Sequence, residues 1–106
     1  MISIIIPSFN NKDYLTLCIE SLEKNSHYQN EILVHVNEGV DGTIDFLKEK
    51  NIFFTHSKNN LGLCTACNIV SKNSTFDYIL YSHDDMYFLP EWDLVLMNKV
   101  KELKTN

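Results

Sequence analysis

A chain of 106 residues, 44% of them hydrophobic and 22% charged, holds one small domain around a single core. Nine basic against fourteen acidic side chains leave a net charge of −5, which repels phosphate backbones and anionic lipid heads and argues against a nucleic-acid partner. Three Gly and two Pro, set against one Trp, five Tyr and six Phe, exclude a disordered or fibrous chain.

The segment Ile2 to Ile6 is rich in β-branched residues and predicts a buried strand that stops at Pro7, followed by a loop holding Ser8, Phe9 and Asn10. Leu15, Cys18, Ile19 and Leu22 then recur at helical spacing between Asn11 and Lys24, after an asparagine pair suited to an N-cap. Glu31 to Val36 predicts a second strand. It runs into Asn37–Thr43, a loop dense in turn formers, and a short helix through Ile44, Phe46 and Leu47. Ile52 to Thr55 predicts a third strand, and a polar connection through Asn60 and Gly62 leads to a helix spaced by Leu63, Ala66, Cys67 and Val70. Tyr78 to Tyr81 predicts a fourth strand, followed by Ser82, His83, Asp84 and Asp85. Pro90 suits the first position of a last helix, whose apolar face is Trp92, Val95, Leu96, Val100 and Leu103 and whose end is the polar Thr105 and Asn106.

Strands alternating with helices call for an α/β fold, a Rossmann-like, mostly parallel sheet of about four strands with helices on both faces, because parallel neighbours need long right-handed crossovers. The loops after the first, second and fourth strands then gather at the carboxyl ends of the strands, where open α/β sheets bind ligands. No stretch approaches the roughly 20 apolar residues of a bilayer span, and no signal peptide opens the chain, so the expected compartment is the cytoplasm.

Several side chains on that rim could carry chemistry. Asp84 and Asp85 present adjacent carboxylates, which suit a hard cation; a magnesium-type ion needs only one or two carboxylates beside substrate phosphates and water. The ordinary role of such a pair is a solvated turn. Glu38 sits just beyond the second strand, where a carboxylate can accept a hydrogen bond from a base imide or a ribose hydroxyl. In the same loop, Asp41 or Thr43 can cap the next helix while Gly39 or Gly42 supplies a positive φ. Cys64 and Cys67 form a C-x-x-C, but Cys67 falls on the apolar stripe of its helix and reads as a buried small side chain rather than a redox or zinc group. His27 and His35 read as ordinary helix-end and strand residues, and Glu91 and Asp93 as acids placed for the dipole at the start of the last helix.

Ile2-Ser3-Ile4-Ile5-Ile6-Pro7-Ser8-Phe9-Asn10, Val36-Asn37-Glu38-Gly39-Val40-Asp41-Gly42-Thr43, Asn60-Leu61-Gly62 and Ser82-His83-Asp84-Asp85 occur in this order, and with them the chain resembles the family 2 glycosyltransferases of the GT-A fold over nearly its whole length. The resemblance implies that Pro7, Ser8, Phe9 and Glu38, joined by Asn60 and Gly62, hold the nucleoside of a UDP- or GDP-sugar. It also implies that a DxD-type motif falls on His83, Asp84 and Asp85, with Asp85 the ligand of a Mn²⁺ or Mg²⁺ ion and Asp84 beside it. Such an ion would let an acidic protein hold a diphosphate and would stabilise charge on the departing nucleotide. His83 stands where the motif's first acidic residue is usual, Asn37 and Glu38 where an Asp pair is common, and Cys67 where a basic residue is frequent.

Family catalytic domains are longer, so residues 1–106 correspond to the donor-binding half, truncated relative to a full catalytic domain; the other half binds a carbohydrate or lipid-linked acceptor and supplies the general base. Sugar transfer from a metal-bound nucleoside diphosphate sugar is the implied activity. The alternative is a noncatalytic nucleotide-binding or assembly module, homo-oligomeric or covered by a partner chain along its truncated sheet. A dinucleotide-binding domain is disfavoured, since Pro7-Ser8-Phe9-Asn10 contains no glycine for the required turn, and a receiver-like domain is the weakest rival.

Overall fold

A computed structural model describes residues 1–104; Thr105 and Asn106, the expected polar end of the last helix, lie outside the described residues. The elements alternate as β1 (Ile2–Phe9), α1 (Lys12–Asn25), β2 (Glu31–Asn37), α2 (Thr43–Glu49), β3 (Phe53–Ser57), α3 (Leu63–Ser71), β4 (Tyr78–Tyr81) and α4 (Trp92–Lys104). All three strand pairs are parallel, and the order is β3-β2-β1-β4. The order reverses at β1, so the loops after β1 and β4 leave the carboxyl rim on either side of a crevice.

Alternation along β1 divides the core. Ile2, Ile4 and Ile6, with Val34 and Val36 of β2, pack against Leu15, Cys18, Ile19 and Leu22 of α1, Leu47 of α2 and Met97 of α4. On the other face Ile5 and Leu33 pack against Val70 and the half-buried Cys67 of α3. Helices therefore cover both faces, three on one and α3 alone on the other.

The first strand does not stop at Pro7 but runs on to Phe9, with Pro7 opposite His35 and Phe9 opposite Asn37. The Ser82 amide donates to the Ile5 carbonyl, so the polar groups of Ile5, and of Pro7 two residues on, point toward β4. That neighbour ends opposite Ile5, and the N–H that proline lacks is therefore missing where no ladder partner stands. The third strand begins one residue later than expected and extends to Ser57.

The last helix departs further from its pattern. Pro90 lies in a turn two residues before α4, and Glu91 takes a left-handed φ of 64° ahead of the first helical residue. Of the expected apolar face, Trp92 packs on the core, but Val95, Leu96 and Leu103 are exposed, and the buried positions are Met97 and Asp93. Asp93 stands in the first turn of α4, as expected for the dipole, and is also an anchor. Its carboxylate accepts from the backbone amides of His27 at 2.7 Å and Tyr28 at 2.8 Å and from Asn30 Nδ2 at 2.9 Å, and Asn30 Oδ1 accepts from the Ile2 amide at 3.0 Å. Burial alone would raise the Asp93 carboxyl, but these amide hydrogen bonds together hold it below its ordinary value.

Candidate functional site

At the carboxyl rim a cleft of about 300 Å³ is lined by Pro7, Ser8 and Phe9 of β1, Asn11 before α1, Asn37 of β2, Asn60, Gly62 and Leu63 at the start of α3, and His83 and Asp84 after β4. Seven of the residues singled out from sequence thus meet in one place. A larger hollow of about 620 Å³ lies at the opposite end of the sheet. Its polar groups include Lys50, paired with Glu23 at 2.9 Å, and His27, whose Nδ1 lies 3.1 Å from Glu91 Oε2. Nothing there converges on a ligand, and the carboxyl rim remains the candidate.

Strand alternation explains how the cleft is lined. Pro7 and Phe9 share the α3 face with Asn37, while Ser8 turns to the α1 face. Ser8 Oγ donates to Asp84 Oδ2 at 2.9 Å and Asn11 Nδ2 donates to Asp84 Oδ1 at 3.1 Å, so one oxygen of Asp84 is tied to the end of β1 and the other to the start of α1. The expected capping role of Asn11 is thereby displaced. It is the N-cap by position but makes no side-chain cap bond; instead Asp41 Oδ2 accepts from the Lys12 amide at 2.9 Å, capping α1 from another loop. Asp41 Oδ1 also accepts from Thr43, and although burial would raise this carboxyl, the Thr43 and Lys12 hydrogen bonds leave it below its ordinary value.

Asp85, in contrast, is exposed and makes no side-chain hydrogen bond among the described residues. The loop that carries it is fixed from beneath. Ser82 is buried and its Oγ donates to the His83 carbonyl at 2.9 Å, and the Cys18 thiol lies 3.8 Å from the same oxygen. Burial pushes the Cys18 thiol up to about 11, so it stays protonated and packs as an apolar group. The His83 ring lies 5.2 Å from that of Tyr81, at its edge.

Glu38 does not line the cleft. It adopts a left-handed φ of 63°, as does Asn10 at 45°, a conformation costing each of order 1 kcal/mol. The two are held together: Asn10 Nδ2 donates to Glu38 Oε1 at 3.4 Å, and Asn10 Oδ1 accepts from the Val40 amide at 3.0 Å. His56 Nε2 lies 2.8 Å from the Glu38 carbonyl. Gly39 and Gly42 both supply positive φ, and a Cβ on Gly39 would stand 2.5 Å from Val36 Cγ1.

The neighbouring Asn37, which sequence reasoning left without a role, is buried at the cleft wall. Its Oδ1 accepts from the Leu61 amide at 3.0 Å and lies 3.1 Å from Ser57 Oγ. Ser57 Oγ in turn meets His35 Nε2 at 3.0 Å, and His35 Nδ1 meets Thr55 Oγ1 at 2.7 Å. His35 is fully buried, and burial, reinforced by nearby His56, holds its pKa below the ordinary histidine value. Asn11 and Leu63 are the other lining residues that sequence reasoning gave no site role. A polar residue at the very end of a buried strand was the available signal for Asn37.

Comparison with known proteins decides the family. The family model described as glycosyl transferase family 2 matches residues 3–106. This chain belongs to glycosyl transferase family 2. Among curated relatives, an uncharacterized glycosyltransferase of Rickettsia bellii is 33% identical over 101 residues, covering 90% of this chain and 14% of that protein. A dolichyl N-acetyl-alpha-D-glucosaminyl phosphate 3-beta-D-2,3-diacetamido-2,3-dideoxy-beta-D-glucuronosyltransferase of Methanococcus voltae is 31% identical over 107 residues, covering 92% of this chain and 32% of its own length. The chain therefore spans a third or less of the length of these curated relatives. Among solved structures, S. aureus TarS in complex with UDP aligns with a TM-score of 0.84 at 21% identity, over 95% of this chain and 32% of that one. A mannosyltransferase of Pyrobaculum calidifontis, in complex with GDP-Man and Mn²⁺, aligns at 0.80 and 17% identity, over 94% of this chain and 31% of that one. The GT-A fold expected from sequence is the fold observed.

Proposed function

We propose that residues 1–106 form the donor-binding part of a family 2 glycosyltransferase, holding a UDP- or GDP-sugar in the rim cleft through a divalent cation for transfer to a carbohydrate or lipid-linked acceptor. The observation that carries this reading is the pairing of a tied carboxylate with a free one: Asp84 is fixed by Ser8 and Asn11, and Asp85 beside it points into solvent unpaired. Among the described residues no cluster of three or more His, Cys, Asp or Glu could cage a metal. One or two carboxylates at the edge of a polar cleft fit Mn²⁺ or Mg²⁺, which keep their waters and take the remaining ligands from a diphosphate, and do not fit structural zinc.

On this reading Asp85 holds the ion, with Asp84 positioned beside it, and the ion supplies electrostatic stabilisation of the departing diphosphate. Pro7, Ser8 and Phe9 form the floor of the nucleoside site, Asn60 and Gly62 its far wall, and His83, the first residue of the motif, its edge beside Asp84. Glu38 acts through the Asn10–Glu38 contact that shapes the rim rather than from within the cleft. The net charge of −5 disfavours the approach of a bare diphosphate, and a cation would offset that repulsion. The acceptor site and the general base would belong to the part of the longer relatives that this chain does not span. No helix of the described residues is long and apolar enough to cross a membrane, and three free cysteines suit the reducing cytoplasm.

A second reading, a noncatalytic donor-binding module, is favoured by Ile79 and Tyr81, which are 55% and 44% exposed on β4 and leave an apolar strip for a second copy or a partner chain. Calorimetric titration of UDP- and GDP-sugars, with and without Mn²⁺, tests the main reading on the whole chain and on Asp85→Ala. Binding that requires the metal and disappears in the variant is expected; equal affinity in both proteins would overturn the assignment. Metal-dependent binding with no hydrolysis or transfer supports the module.

A further inference from the structure

Cys64 and Cys67 are both free and stand three residues apart at the start of α3, directly after Gly62 and Leu63, which line the cleft. Cys64 is exposed. Cys67, expected to be buried, is only half-buried, at the edge of the cluster that Ile5, Leu33 and Val70 form. The third thiol, Cys18, is fully buried on the α1 face of the sheet and stays protonated.

The two rim thiols share one side of their helix, because residues three apart are neighbours there. Burial and then the Cys64 thiol raise the pKa of Cys67, and burial followed by Cys67 and Cys64 raises that of Tyr81 on β4, so the pair lies within electrostatic reach of each other and of one hydroxyl. A helix that rises 1.5 Å per residue at a radius of about 2.3 Å sets Cα atoms three residues apart at about 5 Å, inside the range of roughly 4.4–6.8 Å that a disulfide spans. The Cβ atoms of such a pair, about 5–6 Å apart, must close by about 1–2 Å. The start of α3 has room for that movement. First-turn amides have no intrahelical acceptor to hold them, and the Ala66 amide reaches the Gly62 carbonyl at a long 3.3 Å. Gly62 makes no side-chain cap bond, and a Cβ built on it would meet nothing within 4 Å.

We propose that Cys64 and Cys67 form a thiol–disulfide exchange site beside the cleft, which takes a small-molecule disulfide such as oxidised glutathione and closes to an intramolecular disulfide. Cys64, the exposed member, attacks as its thiolate one sulfur of the small disulfide, forming a mixed disulfide and expelling one thiolate. Cys67 then gives its proton to water, and its sulfur attacks that of Cys64, breaking the mixed bond and expelling the second thiolate. Two protein thiols are oxidised to one disulfide while one small disulfide is reduced to two thiols, and excess reduced glutathione drives the same steps backwards. The site does not depend on nucleotide binding, so its failure would leave the donor-binding reading standing.

The test is incubation of the whole folded chain with oxidised glutathione, followed by mass spectrometry with peptide mapping. Wild type is expected to lose two hydrogen atoms through a Cys64–Cys67 bond, to keep Cys18 reduced, and to recover its mass when reduced glutathione is added. Cys67→Ser should stop at a glutathione adduct on Cys64, and Cys64→Ser should react about tenfold more slowly than wild type because its remaining rim thiol is half-buried. Wild type that stays reduced, stops at an adduct on Cys64, or links two chains would overturn the proposal, as would equal rates for wild type and Cys64→Ser. The wild-type mass decides the matter even where a variant does not fold.

Discussion

Asp93 and Asp85 lie at opposite ends of the sheet and differ in almost every physical respect. The first is completely buried beneath the start of α4 and accepts two backbone amides and one side-chain amide; the second is exposed beside the cleft with no partner among the described residues. A carboxylate whose lone pairs are already taken holds the fold together. One whose lone pairs are free is available to something outside the fold. The difference shows how an acidic chain holds occupied and unoccupied carboxylates at the two ends of one sheet without changing residue type.

Breaking the structural end should cost most. Asp93→Ala leaves the His27 and Tyr28 amides and Asn30 without acceptors, and urea unfolding should show a loss of about 3 kcal/mol. Metal-dependent nucleotide binding should persist wherever the variant remains folded.

Acid should act on the same contrast. The Asp93 and Asp41 carboxyls both lie below their ordinary values, so the unfolded chain takes up their protons first as pH falls. Their contribution is therefore complete above about pH 4, the unfolded carboxylate range, and is lost as pH drops through their lower folded values. Thermal melts across that window should show Tm falling in the wild type and falling less in Asp93→Ala. Parallel slopes would mean that other carboxylates dominate the acid limb.

Ser8→Ala sharpens the comparison at the rim. It removes one of the two hydrogen bonds that fix Asp84 and should cost about 1 kcal/mol in urea while weakening Mn²⁺-dependent nucleotide binding. Asp85→Ala should be the mildest for stability, within about 0.5 kcal/mol of wild type in the same measurement, and the most damaging for metal-dependent binding. If the two variants affected stability and binding in proportion, the division between structural and ligand-binding acids would fail.

Much of this was legible in the chain itself, and the misses have physical causes. The β-branched run at Ile2–Ile6 and the helical spacing of Leu15, Cys18, Ile19 and Leu22 identify β1 and α1, because a side chain's direction within an element depends on local periodicity. Pro7 misled because proline is excluded only where a ladder partner needs its N–H, and whether β4 extends that far is a property of another segment. Val95, Leu96 and Leu103 misled because an apolar stripe shows that a helix has a hydrophobic face, not that the same chain supplies its cover. In the site, the motif residues around Pro7–Phe9 and His83–Asp84 were legible and do line the cleft. Asn37 was passed over for the charged Glu38 beside it because adjacent strand residues point to opposite sides and the left-handed turn at Glu38 is set by its contacts with Asn10, Ser57 and His56.

The sequence by itself determined the order of strands and helices, the parallel α/β class and the gathering of polar loops at one rim. Each follows from short-range periodicity, turn chemistry and the handedness of crossovers. Only the tertiary structure decided which acids are occupied and which way an amide faces. Those properties depend on donors far away in the chain, Ser8 and Asn11 for Asp84, the 27–30 segment for Asp93 and Leu61 for Asn37, which packing alone brings within hydrogen-bond reach.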